Sequence, residues 1–382
     1  MNTPIFSKND IMEYSKVRLT SNEVPIEKID TIVQHNGILP NEVISLYEQT
    51  HGKNALTKLN QKNPREPLYY YDKQRILVIP QYSSEQRAKR YEVMIKSLSD
   101  IMQESTGRKI NYENMERENK QNVTSIAYDN FAHDFIVRMF VNEERYEPGR
   151  IFENHTIHDI SKIIFGPLLA VGQHRESKVI CKGKSEYLDS QIVEIGGEKI
   201  LNLGYVFGSQ GGILVSKLTR ELAAIAKMQG KRKNINIYMF GRVGALDDSL
   251  NRHDIITPNG IIDWPKLRRK DSNPVHITNV LSKEKCPNFI FNVPNVLEET
   301  KEQLELGRQN NCSCVEMENY YMVHHINMAQ SNFDDYLNIS YGFAGHISDL
   351  PLKGDNLATE KDCNIGEKDA VSVIINDIKK RQ

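Results

Sequence analysis

Two short acidic stretches near the end of the chain have residue types that could do chemistry together. Val315-Glu-Met-Glu318 carries two carboxylates after an apolar run, and a carboxylate only accepts hydrogen bonds. One that faces a vicinal diol, as on a ribose, can take bonds from both hydroxyls. Equally, Glu316 and Glu318 can be solvated charges at a helix start, where the helix dipole favours them. Ile347-Ser-Asp349 follows another apolar run. A carboxyl there can protonate a leaving base. Its reference pKa is about 3.9, so burial or a neighbouring carboxylate must raise it if it is to hold a proton at neutral pH. The alternative is a helix-capping or turn Asp ahead of Pro351.

Three further stretches sit where a ligand would be met. Gly208-Ser-Gln-Gly-Gly212 lies between an apolar run and an amphipathic one. Glycines there permit close backbone approach, and a helix N-terminus favours an anion or an oxygen-rich ligand; a tight turn without ligand reads the same. Gly241-Arg-Val-Gly244 reads as a glycine turn with an arginine whose fork suits phosphate. Gln81 to Arg87 is charged and follows the apolar run Arg75-Ile-Leu-Val-Ile79.

The elements that must position these residues alternate. Strand-like runs are predicted at Ile76–Ile79, Ser177–Cys181, Gln191–Ile195, Lys199–Val206, Ile235–Phe240, 287–293, Cys312–Met317 and Leu337–Phe343. Helical spacing is predicted at Arg87–Gln103, Ile213–Met228 (closed by Gly230), Val296–Gly307, Tyr321–Met328 and Glu367–Lys380. That alternation implies an α/β fold, a central mixed sheet flanked by helices. In such sheets ligands lie beyond the carboxyl ends of the strands, where all five stretches fall. Residues 1–70 are polar and mixed and read as an N-terminal extension. Residues 71–382 read as the catalytic domain, interrupted by an insertion at about 105–165 in which Ile136–Val141 has strand character.

Composition narrows the function classes. The chain has 382 residues, 39% apolar and 26% charged, as a core-forming protein does. A formal net charge of −1 gives no field for nucleic acid or an acidic membrane, and Lys231-Arg-Lys233 reads as a helix end. No run of about 18 apolar residues is present, and the first ten residues lack the apolar core of a signal peptide. The five cysteines, Cys181, Cys286, Cys312, Cys314 and Cys363, form no C-x-x-C pair, so neither a zinc site nor a disulfide framework is expected. A reducing, cytoplasmic location follows, with no cofactor, no nucleic-acid partner and no membrane partner.

Taken together, these stretches resemble the nucleoside phosphorylase superfamily. Val315-Glu-Met-Glu318 is similar to the V-E-M-E signature of its purine-specific members, and Ile347-Ser-Asp349 to their I/V-S-D signature. Gly241-Arg-Val-Gly-Ala-Leu246, followed by His253-Asp-Ile-Ile256, resembles their G-x-x-G-A-L … G-D-I-V segment. Gly208–Gly212 resembles the glycine-rich turn before it, and Ile76–Pro80 with Arg87-Ala-Lys the first strand and its loop. The resemblance spans roughly residues 74–382. It implies that Glu318 binds the ribose hydroxyls, that Met317 lines the sugar pocket, and that Asp349 is the general acid at purine N7. Glu316, Ser209 and Gly241 are implied as further substrate contacts. Phe343 and Phe289 are candidates to stack on the base, although such residues are commonly plain core. Such family members assemble as homo-oligomers, so an oligomer is expected.

The resemblance also bears on the nucleophile. Purine phosphorylases with this signature carry an arginine two positions before the glycine turn and a serine or threonine just after its first glycine; here these are Met239 and Arg242. Arg87 aligns with a phosphate-binding arginine of phosphorylases when two residues are inserted. Without a gap, Glu85 aligns with the water-activating glutamate of methylthioadenosine/S-adenosylhomocysteine nucleosidases. Ser348-Asp-Leu-Pro-Leu-Lys-Gly354 is similar to the S-D-x-P-L-x-G string of bacterial AMP nucleosidases, whose glycine turn carries a basic residue at the position of Arg242 and an acidic-Ser pair like Asp248-Ser249. The expectation is therefore hydrolysis of a purine nucleotide or nucleoside, AMP first, with Glu85 as base and Arg242 as reader of a 5′-phosphate. Phosphate-dependent cleavage and a non-catalytic nucleotide-binding module are the alternatives.

Overall fold

The computed structural model describes residues 4–19, 23–36, 38, 40–59, 67–81, 85–116, 161–183, 189–204, 209–263, 275–276, 278–281, 289–295, 297, 299–354 and 364–381. The chain divides into two compact units. The smaller is Pro4–Ile126 with Leu297–Glu299; the larger takes in Ala127–Val296 and Thr300–Gln382.

The smaller unit contains helices α1 (Lys8–Leu19), α2 (Pro40–His51) and α3 (Glu85–Thr106). Its strands are β1 (Thr31–Asn36), β2 (Thr57–Lys58), β3 (Tyr69–Tyr71), β4 (Ile76–Gln81) and β5 (Asn111–Glu116). They form one sheet in the order β2-β3-β4-β1-β5, with β1 parallel to both β4 and β5. The apolar run at 76–79 is the strand its composition demands, with Leu77, Val78 and Ile79 fully buried. On α3 the residues Tyr91, Met94, Ile95, Leu98 and Met102 recur at helical spacing and are buried together.

Here the structure departs from the expected organisation. A boundary near residue 70 and an assignment of β4 to the large domain both give way to a unit that runs to Ile126. A buried strand needs neighbours on both edges, and β4 finds them in β1, well before residue 70, and in β3, which spans that boundary. Strand β1, Thr-Ile-Val-Gln-His-Asn, is masked in the sequence by its polar half, yet Gln34 and His35 are buried with Ile32 and Val33. Arg87 lies in the helix that its spacing predicts, and α3 begins two residues earlier, at Glu85.

The larger unit begins its described part with β6 (Lys162–Phe165), α4 (Leu168–Gly172), β7 (Ser177–Lys182), β8 (Ser190–Ile195) and β9 (Glu198–Leu203). Next come α5 (Ser209–Gln229), β10 (Lys233–Ala245), β11 (Ile255–Ile256), β12 (Gly260–Asp263), β13 (Val275–His276) and β14 (Phe289–Asn292). It closes with α6 (Lys301–Gln309), β15 (Cys312–Glu316), α7 (Asn319–Asn332), β16 (Leu337–Asp349) and α8 (Asn364–Lys380). Its sheet of eleven strands runs β13-β12-β14-β15-β10-β6-β9-β8-β7, and β16 pairs with β10 and β11. Both parallel and antiparallel ladders occur, so the sheet is mixed.

Helices cover both faces, as alternation along the strands requires. Ile237, Met239 and Val243 of β10, with Tyr341, Phe343 and Ile347 of β16, pack into a core with Leu214, Leu218 and Leu222 of α5 and Val323 and Ile326 of α7. The intervening Tyr238, Phe240 and Ala344 pack against Val371, Ile374, Ile375 and Ile378 of α8. The fold is α/β, a central mixed sheet flanked by helices.

Three expectations are corrected locally. Gly241–Gly244 is not a turn: β10 continues through it to Ala245, paired with β16 along its length. Likewise β16 extends past Phe343 to Asp349, so Asp349 is a strand residue rather than a turn residue. The insertion expected to 165 ends earlier, because β6 is a buried strand between β10 and β9. Ile136–Val141 lies outside the described residues, as do Cys286 and Cys363. Among the described residues, Cys181, Cys312 and Cys314 are free thiols, and no helix is long and apolar enough to cross a membrane.

Candidate active site

The acidic stretches meet at one glycine. Gly244 of β10 is in register with Val315 of β15 on one side and, across a bulge, with Asp349 of β16 on the other. The three strand ends are thus consecutive in the sheet, each about 4.8 Å from the next. A Cβ on Gly244 would lie 3.0 Å from Val315 Cγ1, 3.2 Å from Asp349 Oδ2 and 3.2 Å from Pro351 Cδ. The Asp349 carboxylate and the Val315 side chain therefore converge over a space that only glycine leaves open.

Asp349 is only 5% exposed. Ser348 Oγ donates to its Oδ1 at 2.7 Å and lies 3.3 Å from the Val243 carbonyl. After it, Pro351–Lys353 form a single 3₁₀ turn that ends at Gly354, whose φ of 78° suits glycine. The resemblance string from Ser348 to Gly354 is thus a strand end, a buried acid and a tight return.

Glu316 and Glu318 have different positions. Glu316, the last residue of β15, is buried, and its carboxylate accepts from the backbone N–H of Glu318 (2.8 Å) and of Asn319 (2.9 Å). Burial, and then the Glu318 charge, push its pKa well above the ordinary carboxylate range, while those N–H groups pull it down. With both oxygens committed to the backbone, Glu316 holds the turn between β15 and α7 instead of facing a ligand. Glu318 is the N-cap residue of α7, half-buried, and makes no capping bond with its own side chain. Met317 beside it is also half-buried.

Arg242 is engaged by a partner that sequence reasoning missed. Its Nε and Nη2 lie 3.0 and 2.6 Å from Glu367 Oε1, on α8. In the next strand its register partner is His346, fully buried, whose Nε2 is 3.2 Å from His253 Nδ1. Gly366 lies against this ring, so close that a Cβ there would overlap it. No pattern in the sequence joins positions 242, 253, 346 and 367; the register of β10 with β16 brings the first and third together.

The remaining candidates divide between core and undescribed side chains. Phe343 is 1% exposed and belongs to the core, its ring 3.0 Å from where a Gly241 Cβ would be. Gly241 thus accommodates a neighbouring ring rather than a turn. Phe289 opens β14 and is half-buried. Met239 is buried in the α5/α7 core. The backbone at Ser209 starts α5, and Glu85 and Arg87 lie in the first turn of α3 in the smaller unit, but the side chains of all three are outside the described part. Gly212 serves helix packing: a Cβ would lie 2.7 Å from the Tyr321 carbonyl of α7. Asp247 caps its own turn through Ser249, which lowers its pKa, and Asp248 pairs with Arg308 at 2.9 Å.

Two buried polar groups beside Glu316 were not foreseen. Asn292 of β14 is in register with Glu316; its Nδ2 donates to Asp263, while its Oδ1 finds no partner among the described residues. Asn319 accepts from the Tyr341 hydroxyl, and its Nδ2 likewise finds no partner there.

No protein-family model matches the chain, and no curated protein matches it. Several solved structures are similar to it. Purine nucleoside phosphorylase from Toxoplasma gondii, solved with immucillin-H, has 14% identity and a TM-score of 0.41, over 59% of this chain and 93% of that one. A 5′-methylthioadenosine/S-adenosyl homocysteine nucleosidase from Campylobacter jejuni has 11% identity and a TM-score of 0.39, over 58% and 100%. Uridine phosphorylase from Schistosoma mansoni has 12% identity and a TM-score of 0.42, over 59% and 88%. At such identities the residues of the site, not the likeness, carry the chemistry.

Proposed function

We propose that the larger unit hydrolyses the N-glycosidic bond of a purine nucleotide or nucleoside, with AMP the first candidate. The supporting observation is the register at Gly244, which joins a Val-Glu-Met-Glu strand end and a buried Ser-Asp strand end that are far apart in the sequence. The bond between C1′ and the purine N9 breaks through an oxocarbenium-like state, and the purine leaves poorly as an anion. In this reading Asp349 gives a proton to N7 as the bond breaks, and Ser348 steadies its carboxyl. Glu318 accepts from the 2′ and 3′ hydroxyls, and Glu316 fixes the turn that carries Glu318. Water adds to C1′ as the purine leaves, and the proton it loses passes to solvent, from which Asp349 is reprotonated.

Water is favoured over phosphate by what stands in the glycine segment. Met239 is buried apolar core where the purine phosphorylases have arginine, and Arg242 is held by Glu367. If Arg242 nevertheless reads a 5′-phosphate, it does so while bound to Glu367, which would orient its fork.

The test is incubation with AMP, adenosine and other nucleosides, with and without inorganic phosphate, followed by chromatography of the products. Free base with ribose or ribose 5-phosphate is expected in the absence of phosphate. A 1-phosphorylated sugar formed only when phosphate is added would replace hydrolysis by phosphorolysis. Binding of nucleotides with no base released would leave a binding module and no enzyme.

A further inference from the structure

Asp349 stands where the regular pairing of β16 gives out. On one side, β10 and β16 lose step between Val243 and Gly244, so Ser348 is an extra residue just before the acid. On the other side, β11 pairs only Ile255 with His346 and Ile256 with Gly345, and stops short of Asp349. The strand end is held there by the segment before β11. His253 donates its backbone N–H to the Ile347 carbonyl, and Ile347 donates its own to the Asp254 carbonyl, both at 3.0 Å. The Asp254 side chain shapes this segment, its Oδ2 accepting from the Asn251 N–H at 2.7 Å.

His253 makes these contacts in a left-handed conformation, with a φ of 73°. Glycine takes that conformation freely, whereas a side chain there costs free energy that other contacts must offset. The imidazole makes such a contact. Its Nδ1 lies 3.2 Å from Nε2 of His346, with the two rings nearly parallel at 14°. One ring donates the shared hydrogen and the other accepts it. His346 is a fixed anchor for that bond. It is fully buried, and the backbone of α8 at Gly366 lies against its ring. The left-handed turn thus aims the ring and the backbone of one residue at His346 and Ile347, the last regular positions of β16 before the acid.

We propose that His253 is a positioning residue for Asp349: its imidazole, tied to buried His346, fixes the end of β16 so that the Asp349 carboxyl stays over Gly244. The fixing of the strand end stands on the geometry alone; its consequence for base release rests on the glycosidase reading. An acid displaced by about 1 Å loses much of its worth, so this bond acts on the rate of bond breaking and not on the grip on substrate.

Three variants of the full chain separate the ring from the backbone. His253→Ala removes the ring and keeps a Cβ under the same backbone constraint. His253→Gly removes both ring and constraint. His253→Asn keeps a side chain that tolerates the left-handed region and sets an amide nitrogen near the place of Nδ1. The first readout is backbone hydrogen exchange, followed by mass spectrometry of peptides. Peptides covering the end of β16 are expected to exchange about tenfold faster or more in the Ala and Gly variants and nearly as the parent in Asn, with β6 and α5 unchanged in all three. The second readout is steady-state base release. Its kcat is expected to fall about tenfold or more in the Ala and Gly variants at a KM within about twofold of the parent, and Asn to recover most of the loss. The proposal is overturned if the end of β16 exchanges as in the parent without the ring, or if Asn behaves as Ala does. It is equally overturned if the whole larger unit exchanges faster, which is a merely structural role, or if a parent that releases base keeps its kcat in the Ala variant. A parent that releases no base removes the glycosidase reading, and the exchange comparison then decides whether His253 fixes the strand end.

Discussion

At Asp349 and Glu316, the same residue type has two roles set by surroundings. Asp349 has one oxygen engaged by Ser348 and the other over the gap at Gly244. Glu316 has both oxygens on backbone N–H groups. Asp349→Asn should therefore cut base release by about 10² to 10⁴, the worth of general acid help, with little loss of melting temperature. Steady-state rates and a thermal melt check this; unchanged release from the variant would remove the proton-donor role. Glu316→Ala is expected to fail on both measures. It leaves buried N–H groups without acceptors, at about 1–3 kcal/mol each by the usual desolvation penalty, and frees the turn that holds Glu318. A Glu316→Ala protein as stable as the parent would show that the turn holds itself.

Among the elements, glycines decide how closely strands and helices approach. Gly212→Ala would push a methyl into the Tyr321 carbonyl of α7, a backbone atom that cannot swing aside. A loss of about 1–3 kcal/mol is expected from overpacking, read from denaturant midpoints. Gly244→Ala meets side chains at 3.0–3.2 Å instead. It should cost less stability than Gly212→Ala and more activity, because Asp349 Oδ2 is one of the atoms displaced. A reversed order would mean that the strand ends do not form the site. These approaches also explain what the sequence conveyed. Strand and helix periods were legible because apolar residues alternate or recur at 3.6, and so were the acidic strand ends. Gly241–Gly244 was misread because glycine in a buried strand and glycine in a turn look alike until a neighbour such as the Phe343 ring is seen. Strand β1 is invisible in the sequence because its polar Gln34 and His35 are buried all the same, and the Arg242–Glu367 contact depends on where the closing helix α8 packs, which no local pattern encodes.

For the whole molecule, charge balance makes stability depend on pH in a direction that can be worked out. His35, His174 and His325 all have pKa values lowered below 6.5, chiefly by burial. For each, the unfolded chain takes a proton near pH 6.5 that the folded chain refuses. Their stabilisation is thus full above about pH 6.5 and is lost as pH falls through the folded values. Glu316 acts oppositely. Its folded pKa is raised, so its share is full below about pH 4.5 and is lost as pH rises. Near pH 6 the three histidines give stability a positive slope and Glu316 a negative one, each at most about 1.4 kcal/mol per pH unit for one proton, and three groups against one make the expected net slope positive. Urea midpoints should therefore drop between about pH 7.5 and pH 5.5. Removing the opposing group by Glu316→Gln should steepen that drop, and His35→Phe should flatten it. A midpoint that rises on acidification in the parent would mean that the buried carboxylate, not the desolvated histidines, governs the balance.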